Sequence, residues 1–365
     1  MSKLDTRRAV PHRVVLASIG TGGFSHLPVL RRLRPVSDAR LAELMLQAPS
    51  ELALVGDAAA AEAISATLNE SGLRTEAVPA EEPFQEGCGE FDIAVHLDDP
   101  ERAPAIIALL CGLLGVDHVA ARELLFGAPP ALLGNVSAAT VEALAPRFAA
   151  LGATLVASRR DEARYDLVVG DCPPRLHAHL LERAGRERGA MTDDGPLIVE
   201  NLDRQAAERL LAEVVRSSSR ASVLDRAFER FEVRIDACPG TSEAARCLIE
   251  LTGMPPAVAG RIPANTPIVL LGDVDRARAQ AALGALSKVG ARAVADLVTF
   301  RRYRVRIERA TRADAAERTI ERVTGRAERI GALPHVLDAT LAHGHARWLA
   351  VELCKAGDEA RVIAA

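Results

Sequence analysis

The residues best placed to do chemistry come early, where Ile19-Gly20-Thr21-Gly22-Gly23-Phe24 follows the apolar run Val14-Val15-Leu16. A glycine-rich turn between a strand and a helix can offer consecutive backbone N–H groups to a phosphate. Gly20, Gly22 and Gly23 are therefore the candidate ligand-binding residues, and the ligand would be a nucleotide or a small metabolite. Their spacing fits neither G-x-G-x-x-G nor the lysine-bearing P-loop, and a flexible corner is the plainer reading.

A second candidate follows directly. Arg31, Arg32 and Arg34 alternate with Val29, Leu30 and Leu33 on a short helix, a mixture suited to docking a protein or simply to facing water. Further along, Arg302, Arg304 and Arg306 fall on one side of a strand flanked by Phe300 and Tyr303. Such a stripe could follow a phosphate backbone, but it is more commonly the wet face of an antiparallel sheet. The pairs His177/His179 and His343/His345 suggest a metal. Side chains two apart on a helix diverge by about 200°, so neither pair can share an ion, and no cysteine or acid completes a zinc spacing. Neither Gly-x-Ser-x-Gly nor His-Glu-x-x-His occurs, so the reading is of a protein without catalytic residues, metal or cofactor.

These residues must be positioned by elements that recur. His12-Arg13-Val14-Val15-Leu16, Phe91-Asp92-Ile93-Ala94-Val95, Tyr165-Asp166-Leu167-Val168-Val169, Phe231-Glu232-Val233-Arg234-Ile235 and Tyr303-Arg304-Val305-Arg306-Ile307 share one alternating pattern. Period-two alternation marks a strand with one face on a core, and recurrence at near-constant spacing marks a repeat. Later in each copy, apolar pairs four residues apart (Leu144/Phe148, Leu210/Val214, Ala282/Leu286, Leu349/Leu353) form the buried stripe of a helix. Gly152, Ser218, Gly290 and Gly357 stand where that helix stops. Asn135, Asn201, Asp273 and Thr340 are expected to cap its start, and the span from Asp57 to Gly72 reads as a copy whose helix is two residues shorter.

The expected fold class is α+β, with five tandem β-α-α-β-α-β units at 12–80, 90–158, 164–226 (degenerate), 230–298 and 302–365. The acidic, glycine-bearing stretch 80–89 is the clearest expected boundary. In the third copy, Gly185 to Gly195 replaces a helix with glycine and charge, and in the fourth Pro255, Pro256 and Pro263 leave the second helix little more than a turn. The second copy's helix at 105–114 carries Ile106, Ile107, Leu109, Leu110, Leu113 and Leu114, leaving almost no polar side. Ile106, Leu110 and Leu113 are thus expected to meet another repeat, the same helix of a second chain, or a partner groove.

The second copy resembles the C-terminal domain of the bacterial ribosomal stalk protein, which shares its fold with the Clp protease adaptor (ClpS-like) domain. The resemblance rests on Glu90-Phe91-Asp92-Ile93-Ala94-Val95, Cys111-Gly112-Leu113-Leu114-Gly115-Val116, Ala121-Arg122-Glu123-Leu124-Leu125, and Ala128 to Val156. It is best over residues 90–158 and extends to 230–298. It implies a protein-binding module, and five modules imply a multivalent scaffold or adaptor, with Arg31, Arg32 and Arg34 as its docking face.

The remaining composition sets limits. With 45 basic and 49 acidic residues the net charge is −4, which argues against a broad nucleic-acid footprint. Aromatic residues are 3% of the chain, so the cores must be aliphatic. Six dispersed cysteines without a C-x-x-C pair, and no leader-like opening, are read as reduced thiols in a cytoplasmic protein. No apolar run is long enough to span a bilayer.

Overall fold

The computed structural model describes residues 10–127, 132–170, 173–183, 197–216 and 220–365. It contains five three-stranded antiparallel sheets built to one plan. In the first repeat, β1 (His12–Ser18) leads to helices α1 (Leu27–Leu33) and α2 (Asp38–Leu46), then β2 (Ser50–Val55), α3 (Ala58–Glu70) and β3 (Arg74–Pro79). The second has β4 (Phe91–Leu97), α4 (Ala103–Leu114), α5 (His118–Phe126), β5 (Leu133–Val136), α6 (Ala138–Ala149) and β6 (Ala153–Arg159). In the third, β7 (Tyr165–Val169), α7 (Pro174–Arg183), β8 (Leu197–Leu202), α8 (Arg204–Arg216) and β9 (Ala221–Asp225) are described. The fourth has β10 (Phe231–Ala237), α9 (Ser242–Thr252), α10 (Pro256–Ala259), β11 (Ile268–Val274), α11 (Arg276–Lys288) and β12 (Arg292–Leu297). The fifth has β13 (Tyr303–Arg309), α12 (Ala313–Thr324), the short β14 (His335–Val336), α13 (His343–Lys355) and β15 (Glu359–Ala364).

In every repeat the first strand is central and both neighbours run antiparallel to it. The outer strands are therefore parallel to each other and are joined through the third helix, as parallel strands require a crossover. The alternating openings supply the core. In the third repeat Leu167 and Val169 meet Leu180, Leu210 and Val214; in the fourth Val233 and Ile235 meet Leu248, Ala282 and Leu286. The proline-interrupted stretch of the fourth repeat keeps a four-residue helix. The glycine-rich stretch expected as a loop in the third repeat, Ser218, and Ala128 to Ala131 lie outside the described residues.

The third helices do not start where the sequence suggested. Asn135, Asn201 and Asp273 lie in the second strands at φ 63°, 58° and 55°. The side chains that cap the helices come two residues later: Ser137 accepts from Thr140 N, Asp203 from Ala206 N and Asp275 from Arg278 N. Asparagine and aspartate suit both roles, because they cap helices and also tolerate the left-handed region. Their actual role is a bulge, in which one residue of the central strand opposes two of its neighbour, as Asp92 opposes Gly134 and Asn135 between Phe91↔Val136 and Ile93↔Leu133. The third and fourth repeats bulge at the same place. The shift also corrects the first copy: Asp57 is itself the cap, and α3 has 13 residues, like α8, α11 and α13.

The repeats group into two compact units, 1–161 and 162–365. The stretch 80–89 therefore runs inside a unit. Gly87 N donates to Pro49 O at 2.6 Å, and a Cβ at Gly87 or Gly89 would collide with Ala48 or Asn135.

Candidate functional site

In the glycine-rich turn the four amides from Gly20 to Gly23 are turned inward. Thr21 N and Gly22 N donate to Gly72 O at 2.9 and 3.1 Å, Gly22 N also reaches Ile19 O, and Gly20 N donates to Ser18 Oγ at 3.2 Å. Gly23 N faces His26 Nδ1 at 3.4 Å, and the other ring nitrogen of His26 lies 2.9 Å from Ser71 O. A phosphate cradle needs free N–H groups, and this turn has spent them. The glycines are there for packing. Gly20 has φ 54° against the carbonyl of Gly72, and a Cβ on Gly23 would come within 2.6 Å of Gly112 O and 2.7 Å of Leu113 O. The turn of the first repeat thus lies directly on the backbone of α4 in the second.

That contact accounts for the all-apolar helix. Ile106, Leu110 and Leu113 are fully buried within the chain, so the neighbour they require is supplied internally and they are not on an exposed face. The next contact between these repeats is polar. Ser137 N and Thr140 Oγ1 donate to Leu46 O at 2.9 and 2.8 Å, and Arg147 on α6 donates to Gly22 O at 3.1 Å. Burial pulls the Arg147 guanidinium below its ordinary value. Beside Arg147 an open cleft of about 970 Å³ is lined by Thr21, Asn69, Arg74 and Glu142.

The three arginines of α1 and its end separate in role. Arg34 donates to the backbone carbonyl of Glu51 in its own repeat, Arg31 pairs with Asp38, and Arg32 is exposed.

The second unit has two buried charge clusters that join successive repeats. At the third-to-fourth junction, Asp166 and Glu229 are 1% and 0% exposed. Arg276, the first residue of α11, reaches back to Glu229 Oε2 at 2.6 Å and Asp166 Oδ2 at 3.1 Å. Arg226 approaches Asp166 at 3.5 Å, and Asn201 N, in the left-handed bulge, donates to Asp166 Oδ1 at 2.7 Å. Burial first, and then a hydrogen bond and the negative charge of Asp166, raise the Glu229 carboxyl to about 9, so it carries the proton that the pair shares.

The fourth-to-fifth junction has the same design. Glu232 accepts from Tyr303 Oη at 3.1 Å and Arg301 at 3.0 Å, and His343, the first residue of α13, lies 4.0 Å away. Burial raises the Tyr303 phenol, helped by Glu232, and lowers the His343 imidazole. Chemically these are clasps: each carboxylate sits at the second position of a central strand, and the first residue of the next repeat's third helix reaches for it. A related arrangement within the second repeat has Asn135 N donating to Asp92 at 3.0 Å, with Arg160 3.5 Å from the same oxygen.

No sequence motif marks Asp166, Glu229, Glu232, Arg276, Tyr303 and His343 as a set. The signal lay in the polar second residue of each strand opening, which is Arg13, Asp92, Asp166, Glu232 and Arg304 in turn.

Other candidates have ordinary roles. Arg304 and Arg306 lie on the half-exposed face of β13, opposite the buried Tyr303, Val305 and Ile307. His179 pairs with Glu213 at 3.0 Å, and His345 lies 3.0 Å from Val323 O and stacks on buried Trp348. Among the described residues no cluster could hold a metal, the cysteines are free thiols, and no single helix is long and apolar enough to cross a membrane. Compared with protein-family models, with curated proteins and with solved structures, the chain finds no match in any of the three.

Proposed function

We propose that the chain is a non-catalytic, multivalent protein-binding scaffold that works in the cytoplasm, its repeats being of the ribosomal-stalk and Clp-adaptor type. The observation that carries this reading is the fate of its reactive groups. The carboxylates, phenol and imidazole that lie closest together are consumed in holding repeat to repeat, while the five small sheets stay separate from one another. Several weak contacts on one chain add up by effective concentration. On α1, Arg32 with the exposed Val29 is the part of the arginine face left available to a protein partner.

The test is capture of partners by the immobilised full chain and by its Arg31→Glu/Arg32→Glu variant. Loss of the captured proteins with the variant supports the scaffold. Retention of all of them removes the α1 face from it, and no capture by either form removes the scaffold itself.

A second reading keeps the cleft beside Arg147 as a nucleotide or metabolite site, because Arg74, Arg147 and Glu142 converge there. Side chains would then do the work first assigned to the glycine amides. A melting-temperature rise with nucleotides or amino acids, absent in Arg147→Ala, would favour it over the scaffold.

A further inference from the structure

The repeats use their third helices twice. In the first unit α6 covers its own sheet with Leu144 and Phe148, and its opposite side lies on the first repeat, where α6 touches β1 and Arg147 reaches the turn carbonyls. Counted from their caps, Asp57 and Ser137, the residues of α3 equivalent to that second side are Ala59, Glu62, Ala63, Ala66 and Thr67. All five are exposed, and Glu70 extends the same stripe. The helix from Ala58 to Glu70 contains no lysine or arginine, so this open side is small, smooth and acidic.

The fifth sheet offers the complementary surface. In the first repeat the second face of the central strand is closed over Val15, and in the third over Asp166 and Val168. In the fifth the equivalent positions are Arg304 and Arg306, with Arg361 and Ile363 beside them on β15, and all remain accessible to water. Glu308 pairs with Arg306 at 3.0 Å and Arg361 at 2.7 Å. Arg304 has no hydrogen bond or ion pair, and its Nε is enclosed without an acceptor. Arg304 stands where Asp166 and Glu232 stand in the third and fourth repeats, and those acids receive Arg276 and His343 from an incoming helix. With the charge reversed, the position calls for an acid on the incoming helix; α3 has none in its first turn, where Arg276 and His343 stand on theirs, so the acid that serves is Glu62, one turn further along.

We propose that the chain self-associates head to tail, the acidic outer side of α3 in one copy lying on the open basic face of the fifth sheet in the next. The contact joins two different surfaces, so it is heterologous and generates rings or open chains of copies. The sheet face carries Ile363 and Val336 among its arginines and no aromatic ring, with Glu308 in its midst. That composition fits a small-residue acidic helix better than a stacked nucleic acid. The proposal stands independently of the scaffold's partners.

The test is sedimentation velocity of the full chain across the micromolar range, at low and high salt. The wild-type chain should form species larger than the monomer, in a share that grows with concentration and shrinks with salt. Arg304→Glu and Glu62→Arg each change a group without a partner inside the chain, and each should weaken association by roughly tenfold or more, since opposed like charges cost several kcal/mol. Combining both changes in one chain, or mixing the two single variants, should restore it. A chain that stays monomeric throughout, single variants that associate like wild type, or a double variant without rescue would each overturn the proposal.

Discussion

The shared proton at the third-to-fourth junction makes stability depend on pH in a calculable direction. In the folded chain the Glu229 carboxyl holds its proton up to about 9, against 4.5 for an ordinary glutamate. Between those values the folded state binds one more proton than the unfolded state, so unfolding becomes easier as pH rises, by up to about 1.4 kcal/mol per pH unit. The contribution is complete below the unfolded value and is lost as pH climbs through the folded one. From about pH 6 to about pH 8 the loss is about 3 kcal/mol, or roughly 6–12 °C in the melting temperature of a unit this size. Glu229→Gln keeps the shape and the hydrogen bond to Asp166 but cannot ionise, so its profile should be flatter than wild type by that amount. Asp166 on β7, Arg226 in the turn after β9 and Arg276 on α11 are the charges that face the group, and the substitution retains all three. Trp348 is the only tryptophan, is buried, and lies in the second unit, so its fluorescence follows the relevant transition in urea. Parallel wild-type and Glu229→Gln profiles would mean that Glu229 is ionised in the folded chain, and the reasoning would fail.

Three further substitutions probe other contacts. Gly23→Ala pushes a methyl group into the α4 backbone and should cost about 1–3 kcal/mol in chemical denaturation, whereas Gly56→Ala, which meets open space, should stay within about 0.5 kcal/mol of wild type. Asn201→Ala at φ 58° should lose about 1–2 kcal/mol relative to Asn201→Gly, because only the β-carbon resists the left-handed conformation. Tyr303→Phe removes a donor to buried Glu232 and should lower the urea midpoint by an amount equivalent to about 1.5–3 kcal/mol, read again through Trp348.

Much of the architecture was written locally. Alternation at Phe91, Ile93 and Val95, and pairs such as Leu144/Phe148, each lie within a few residues and translate directly into strand and helix. The third-helix starts slipped by two residues because Asn135 and Ser137 are both plausible caps, and only the cross-strand pairing shows which one occupies the bulge. The glycines of the first turn were legible as special but not as packing residues, since the α4 backbone that demands them is about ninety positions away in the chain. The clasps were the least legible part. Asp166 and Arg276 are 110 residues apart, and neither departs from what a solvated charge would look like until the repeats are laid side by side.

The clasps bear on how such a chain could lengthen or shorten over evolutionary time. In both seams of the second unit a carboxylate on the earlier module meets the leading side chain of the later module's last helix, an arginine in one case and a histidine in the other. A gene duplication that inserted another copy of the fourth module would bring its own acid for the module after it and its own arginine for the one before. The one added seam would be matched at birth, its acid from the fourth module facing the arginine of the copy, so array length can drift while the joints stay the same.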